Sequence, residues 1–275
     1  MFGDSVFDRI AASRLFSTKT VLLISSLGGA FSYVLFVMVF AASHNIAPMK
    51  AYWTAEETVQ FWKDHLTGAH WAVGLQLCCG MFYIPFSALV SLQIRNVPGI
   101  HPVVAHTQLA SCSAGIFTWM LGAMVLATAT YRLDRDPEIT QVMTDMWWFT
   151  TIMPWPTFMI QNFAWAYAII KDPRPDRPVP RGIAIFNIIS PIVFAMASAM
   201  HTTKVGAFSW QGAVSFWMVG IFFGVELFSD SWFMTSIVLR NELEVKEDTY
   251  IAPRGEVVKT SQDHTSKTSQ DHTSL

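Results

Sequence analysis

Glu226 and Asp230 are the residues of this chain best placed to do chemistry, because they lie inside the last long apolar stretch, Trp210 to Leu239, four residues apart. A spacing of four puts both carboxyls on one face of a helix. A charged side chain at the centre of a membrane helix costs roughly 3 kcal/mol on insertion scales, so two of them one turn apart point to a functional site. No Lys or Arg lies in the interior of any apolar stretch to neutralise them. Low dielectric and a like-charged neighbour both disfavour ionisation, so at least one of the pair is expected to keep its proton and to serve as a Brønsted acid. The alternative is that both acids only hydrogen-bond polar neighbours and hold the helices together.

The elements that must position them are membrane helices. Residues 1–275 are 52% hydrophobic and only 14% charged, with 21 Phe and 11 Trp, and apolar runs of about 20 residues recur along the chain. We therefore expect an all-α polytopic integral membrane protein, a bundle of about six transmembrane helices. The expected spans are Thr20 to Ala42, His70 to Ile94, His106 to Tyr131, Trp147 to Ile170, Gly182 to His201 and Gly212 to Leu239. The first is read as a retained anchor rather than a signal sequence, since no small-residue cleavage site follows it.

Three parts follow: an N-terminal segment, 1–19, the transmembrane helical domain, 20–240, and a polar tail, 241–275. Arg9, Arg14 and Lys19 before the first span, Arg95 after the second, Lys171 to Arg181 after the fourth and Arg240 with Lys246 after the sixth place both termini on the cytoplasmic side. In a fungal host such a protein belongs to an internal membrane, in a bacterial one to the inner membrane. Thr54-Ala-Glu-Glu57 reads as a capping box opening a short helix, either a lid on the membrane surface or a plain linker. Asp136-Pro137 reads as another helix start. The tail ends in a perfect tandem repeat, 259–266 and 267–274, which cannot bury a core and is expected to be disordered.

Counted back from Arg240 at about 1.5 Å per residue, Asp230 lies roughly 15 Å deep and Glu226 roughly 21 Å deep. Gln161 and Asn162 fall at similar depth before Lys171, Tyr83 and Ser87 reach the same level, and Asn187 lies somewhat nearer the cytoplasmic end. Together they are expected to form one polar layer. Pro85, Pro154, Pro156 and Pro191 each remove a backbone donor and open space beside it. Aromatic residues including Trp119, Trp155, Phe158, Trp165, Phe223 and Trp217 are expected to line an apolar cavity whose π faces stabilise a cation. Trp53, Trp62, Trp147 and Trp148 suit an interfacial belt.

Other chemistries find no support. His70, His106 and His201 stand at span ends without forming a matched pair for haem, and the His-rich boxes of a di-iron oxygenase are absent. Cys78, Cys79 and Cys112 lack zinc or redox spacing. The Gly-x-Ser-x-Gly, Walker and Gly-x-Gly-x-x-Gly motifs do not occur. The net charge of -2 and the lack of a basic block argue against nucleic acid. No cofactor and no metal are expected.

The six-span layout, the run Trp147-Trp-Phe-Thr-Thr-Ile-Met-Pro-Trp-Pro-Thr-Phe-Met-Ile-Gln-Asn162 and the acid-bearing last helix resemble the small membrane-bound terpene cyclases of fungal meroterpenoid pathways, particularly the ascofuranone type. The resemblance implies acid-initiated cyclisation of a prenylated, farnesyl-type aromatic compound, often through a terminal epoxide, without metal or diphosphate loss. On that reading Glu226 is the acid, Asp230 tunes it or recovers the proton, and Tyr83, Gln161, Asn162, Asn187 and Trp217 contact the substrate. The lipid bilayer is the other partner, with further pathway enzymes beside it. A proton-coupled transporter of a small molecule and a noncatalytic membrane partner of another enzyme are the competing readings.

Overall fold

The computed structural model describes residues 17–240, together with Phe7, Arg9, Ile10, Ser13 and Leu243. The tandem repeat and most of the N-terminal segment, with the expectations attached to them, lie outside the described residues. Among the described residues every regular element is helical.

The chain is an all-α polytopic membrane bundle. Five stretches are long and apolar enough to cross a membrane: Thr18–Ala42, Leu66–Arg95, Pro102–Tyr131, Arg181–Thr202 and Ala213–Leu239. The first three are unbroken helices, α1, α3 and α4, with the short α2, Ala55–Asp64, between α1 and α3. The fourth expected span is not one helix. It is divided into α5, Pro137–Ile152, a single turn α6, Trp155–Phe158, and α7, Ile160–Lys171. Pro154 and Pro156 are the cause, since neither offers an N–H to the preceding turn and each ring crowds the carbonyl four residues back. Arg181–Thr202 is composite as well, with α8, Phe186–Ala197, between two 3-10 turns. The last passage opens with a π-helix, Ala213–Met218, and continues as α9, Val219–Leu239. Tyr33 Oη donates to the Gly220 carbonyl at 2.8 Å just beyond that wide turn.

Close helix contacts use small residues, as membrane helices do in the absence of a hydrophobic force between them. A methyl group on Gly28 would run into the Phe82 carbonyl oxygen, which brings α1 against α3 at backbone distance. Gly115 of α4 is covered by the ring of Phe158 in the broken passage. Ser111, one turn before it, holds the break: its Oγ stands 3.0 Å from the Thr157 carbonyl and 2.9 Å from that of Phe158, and accepts from the Gln161 N–H at 3.2 Å.

The capping box is present, with Thr54 Oγ1 accepting from Glu57 N and Glu57 Oε2 accepting from Thr54 N. The helix it opens is no free lid, because Trp62 is fully buried and donates through Nε1 to Thr144 Oγ1 of α5 at 2.9 Å. Trp147 and Trp148 are likewise fully buried, which corrects their expected place in an interfacial belt. Trp147 Nε1 finds Gln76 Oε1 at 3.1 Å, and an indole with an internal partner need not seek the headgroups.

After α7 the chain is clipped by Asp172, which accepts from the Arg174 guanidinium at 2.6 Å and from its backbone N–H at 3.1 Å. Burial raises the Asp172 carboxyl, but the Arg174 contacts outweigh it and hold the group below the usual aspartate range. A folded-state value below the unfolded one gives stability that is present above about pH 4, the ordinary aspartate value, and is lost as pH falls through the lowered one. Thermal melting against pH should therefore show an acid-side decline that is shallower in Arg174→Ala.

Candidate functional site

Five helices converge on the acid pair. Glu226 and Asp230 of α9 are 2% and 4% exposed, so both carboxyls are inside the bundle. α7 faces them through Asn162, whose Nδ2 donates to Glu226 Oε1 at 2.5 Å, and through Trp165, whose Nε1 donates to Asp230 Oδ1 at 3.2 Å. From α8, Asn187 Nδ2 donates to the same Asp230 oxygen at 3.1 Å. From α3, Tyr83 Oη accepts from Gln161 Nε2 at 2.6 Å. α4 contributes Gln108, which donates to Ser87 Oγ of α3 at 2.8 Å. All these side chains but Ser87 surround a cavity of about 10 Å³, room for roughly one water.

The partners of the two carboxyls are neutral donors, and Glu226 Oε2 is buried with no hydrogen-bond partner. Ser190 of α8 is beside this carboxyl, but its hydroxyl is directed to the Phe222 carbonyl at 3.4 Å. Neutral donors fix where a carboxyl sits without cancelling a charge, which suits a group that gains and loses a proton more than one held as a permanent ion. Among the described residues no group of three or more His, Cys, Asp and Glu is arranged to hold a metal ion.

Local structure explains the placement. The break at residues 153–159 ends one helix and restarts another, so Gln161 and Asn162 stand in the first turn of α7 rather than mid-helix, tied to α4 through Ser111. Pro191 in α8 cannot donate to the Asn187 carbonyl one turn earlier, and the Asn187 side chain at that loosened turn reaches α9. Replacing Asn187 by Leu removes one of the two donors to Asp230 Oδ1. We expect a loss of about 1–3 kcal/mol, the cost of a buried polar group deprived of its partner, measured by thermal unfolding in detergent.

Tyr83, Gln161, Asn162 and Asn187 are thus brought together with Glu226 and Asp230, and Trp217 is not. Trp217 is 47% exposed, at the rim of a separate cavity of about 200 Å³ between α1 and the π-helix, walled by Phe36, Phe40, Phe216 and Gly220. Glu226 lies six positions after Gly220, about 9 Å along the axis and on another face of the helix. The expected aromatic lining is instead solid packing. Trp155 meets Phe223 at 4.7 Å and Phe194 at 4.9 Å between ring centroids, and Trp119 meets Tyr83 at 5.2 Å. Phe163, Phe228 and Trp232 point out of the bundle. Sequence reasoning misses Gln108 and the indole N–H of Trp165. The signal for the first is present, since Gln108 is the one amide side chain between His106 and Tyr131.

Fold and site together define an all-α membrane bundle with a buried carboxyl pair at the meeting point of its helices. No protein-family model matches the chain, and comparison with curated proteins and with solved structures likewise finds no match.

Proposed function

We propose that this chain is a membrane-bound terpene cyclase that opens the epoxide of a prenylated aromatic compound by acid and closes a ring. The observation that carries the reading is the Glu226 carboxyl, buried at the edge of a small cavity, held on one oxygen by Asn162 and without a hydrogen-bond partner on the other. A proton on Oε2 passes to the epoxide oxygen as the bond from that oxygen to its tertiary carbon breaks. The cation so formed is taken by an alkene or a hydroxyl of the same molecule, and the proton released returns to a carboxylate, Glu226 or Asp230. Atoms balance: the product is an isomer of the substrate. Trp165, Tyr83 and Phe86 at the cavity offer π faces to the cation. A prenyl chain is far larger than the cavity, so binding requires the walls to part. The interrupted passage from α5 to α7 supplies a wall that is not one rigid helix. Both termini are proposed to be cytoplasmic, with the substrate entering from the bilayer.

The test is to feed an epoxidised farnesyl-phenol to membranes containing the protein and to analyse products by mass spectrometry. A cyclised isomer of unchanged mass, absent from control membranes, supports the proposal. No conversion across a panel of such epoxides by folded protein would refute it.

A second reading has one observation in its favour, the interrupted passage beside intramembrane acids, which proton-coupled transporters also use. A tracer flux driven by a pH gradient and lost in Glu226→Gln would select it.

A further inference from the structure

Gln108 belongs to no expected set of site residues, yet it is 2% exposed and faces the same small cavity as Glu226. Its Nε2 is committed to Ser87 Oγ, and its Oε1 has no hydrogen-bond partner. Glu226 has Asn162 on Oε1 and no partner on Oε2. Two buried oxygens are therefore left unpaired on side chains that line one cavity of about 10 Å³. Buried polar atoms seldom go unpaired, and one small centre that can both give and take a hydrogen would satisfy the Gln108 acceptor and a protonated Glu226 Oε2 together. The volume suits a single oxygen atom with its hydrogens.

We propose that Gln108 is a further residue of the site, acting with Glu226 as a cradle for one oxygen, which accepts from the protonated Glu226 Oε2 and faces Gln108 Oε1 as acceptor: a water in the resting protein, and the reacting oxygen of the substrate during turnover. The first half stands on the cavity alone, and the second rests on the cyclisation reading. An epoxide oxygen carries no hydrogen and can only accept. After Glu226 gives up its proton, the same oxygen is a hydroxyl and can donate to Gln108 Oε1. Gln108 thus gains its hydrogen bond as the proton transfers, an interaction absent from the bound ground state, and such an interaction raises kcat rather than lowering KM.

Infrared difference spectroscopy on the full-length protein in lipid nanodiscs tests the first half, with wild type, Gln108→Leu and Gln108→Glu compared in ordinary and oxygen-18 water. We expect an isotope-sensitive internal-water O–H band in the wild type and in Gln108→Glu, which keeps an acceptor in place, and its loss in Gln108→Leu. No such band in the wild type, or a band unchanged in Gln108→Leu, would overturn the cradle. Should Gln108→Leu fail to fold, the Gln108→Glu spectrum decides: the changed acceptor should shift the water band from its wild-type frequency, and an unshifted band would overturn the cradle. For the second half, epoxide turnover by Gln108→Leu should show kcat lower by roughly tenfold, the rate equivalent of one neutral hydrogen bond, with KM little changed. An unchanged kcat beside an active wild type would overturn that role. Failure of the wild type to convert any epoxide would strike the cyclisation reading, and the infrared spectra would still decide whether the cradle holds a water.

Discussion

Glu226→Gln is expected to lower the rate of cyclisation by at least about 10²-fold and up to 10⁴-fold, the range lost when a positioned general acid is removed. The substitution keeps shape and volume and replaces only the group that can surrender a proton. Asn162 Nδ2 can still donate to the amide oxygen at position 226, so the bundle should melt close to the wild type. Asp230→Asn is predicted to be milder, roughly tenfold, because Trp165 and Asn187 both donate to Oδ1 and an asparagine oxygen can accept from both. Initial rates of isomer formation, normalised to folded protein, measure both. If Asp230→Asn is the inactive variant and Glu226→Gln the mild one, the roles of the two carboxyls are exchanged. If both variants turn over at the wild-type rate, acid catalysis by this pair is refuted.

Gly115→Ala should produce the largest loss of stability of any single methyl addition near the site. The added carbon would fall on the Phe158 ring itself, against Cδ2 and Cε2 and far inside contact distance. The ring cannot swing aside, since Tyr83 at 5.4 Å, Trp155 at 5.2 Å and Trp119 at 6.2 Å enclose it. Overpacking of this kind costs about 1–3 kcal/mol, and here it also pushes on the segment that Ser111 ties down. Activity should therefore fall together with melting temperature, as Gln161 and Asn162 follow Phe158 out of place. Gly74→Ala is the control: nothing lies within 4 Å of the added carbon, and alanine favours the helix over glycine by about 1 kcal/mol. A Gly115→Ala protein as stable as Gly74→Ala would show that the passage at Phe158 yields more readily than its packing implies.

The fold class is legible because length and hydropathy alone define a membrane helix, and α1, α3 and α4 carry uninterrupted apolar runs. The fourth span misleads for the same reason: hydropathy registers Trp147 to Ile170 as continuous, whereas Pro154 and Pro156 decide the backbone. Depth counting places Asn162 and Tyr83 level with the acids and Asn187 somewhat nearer the cytoplasmic end, since each is counted along helix with a regular rise of about 1.5 Å per residue. It does not tell which way a side chain faces across helices. That is why Trp217, on the acid-bearing passage, lies at another cavity, and why Gln108, near its helix start, escapes notice. Aromatic content likewise reports abundance and not arrangement. Trp155, Phe194 and Phe223 interlock where open space is expected.

The π-helix at Ala213–Met218 gives the last passage two kinds of sequence, one that can absorb a change of length and one that cannot. A π turn holds a residue more than the α turn it replaces, so a one-residue deletion within it can tighten the coil and leave everything after Val219 facing as before. The same deletion between Val219 and Glu226 would rotate the acid by about 100° away from Asn162. Chain length is thus free to drift on one side of Val219 and locked on the other.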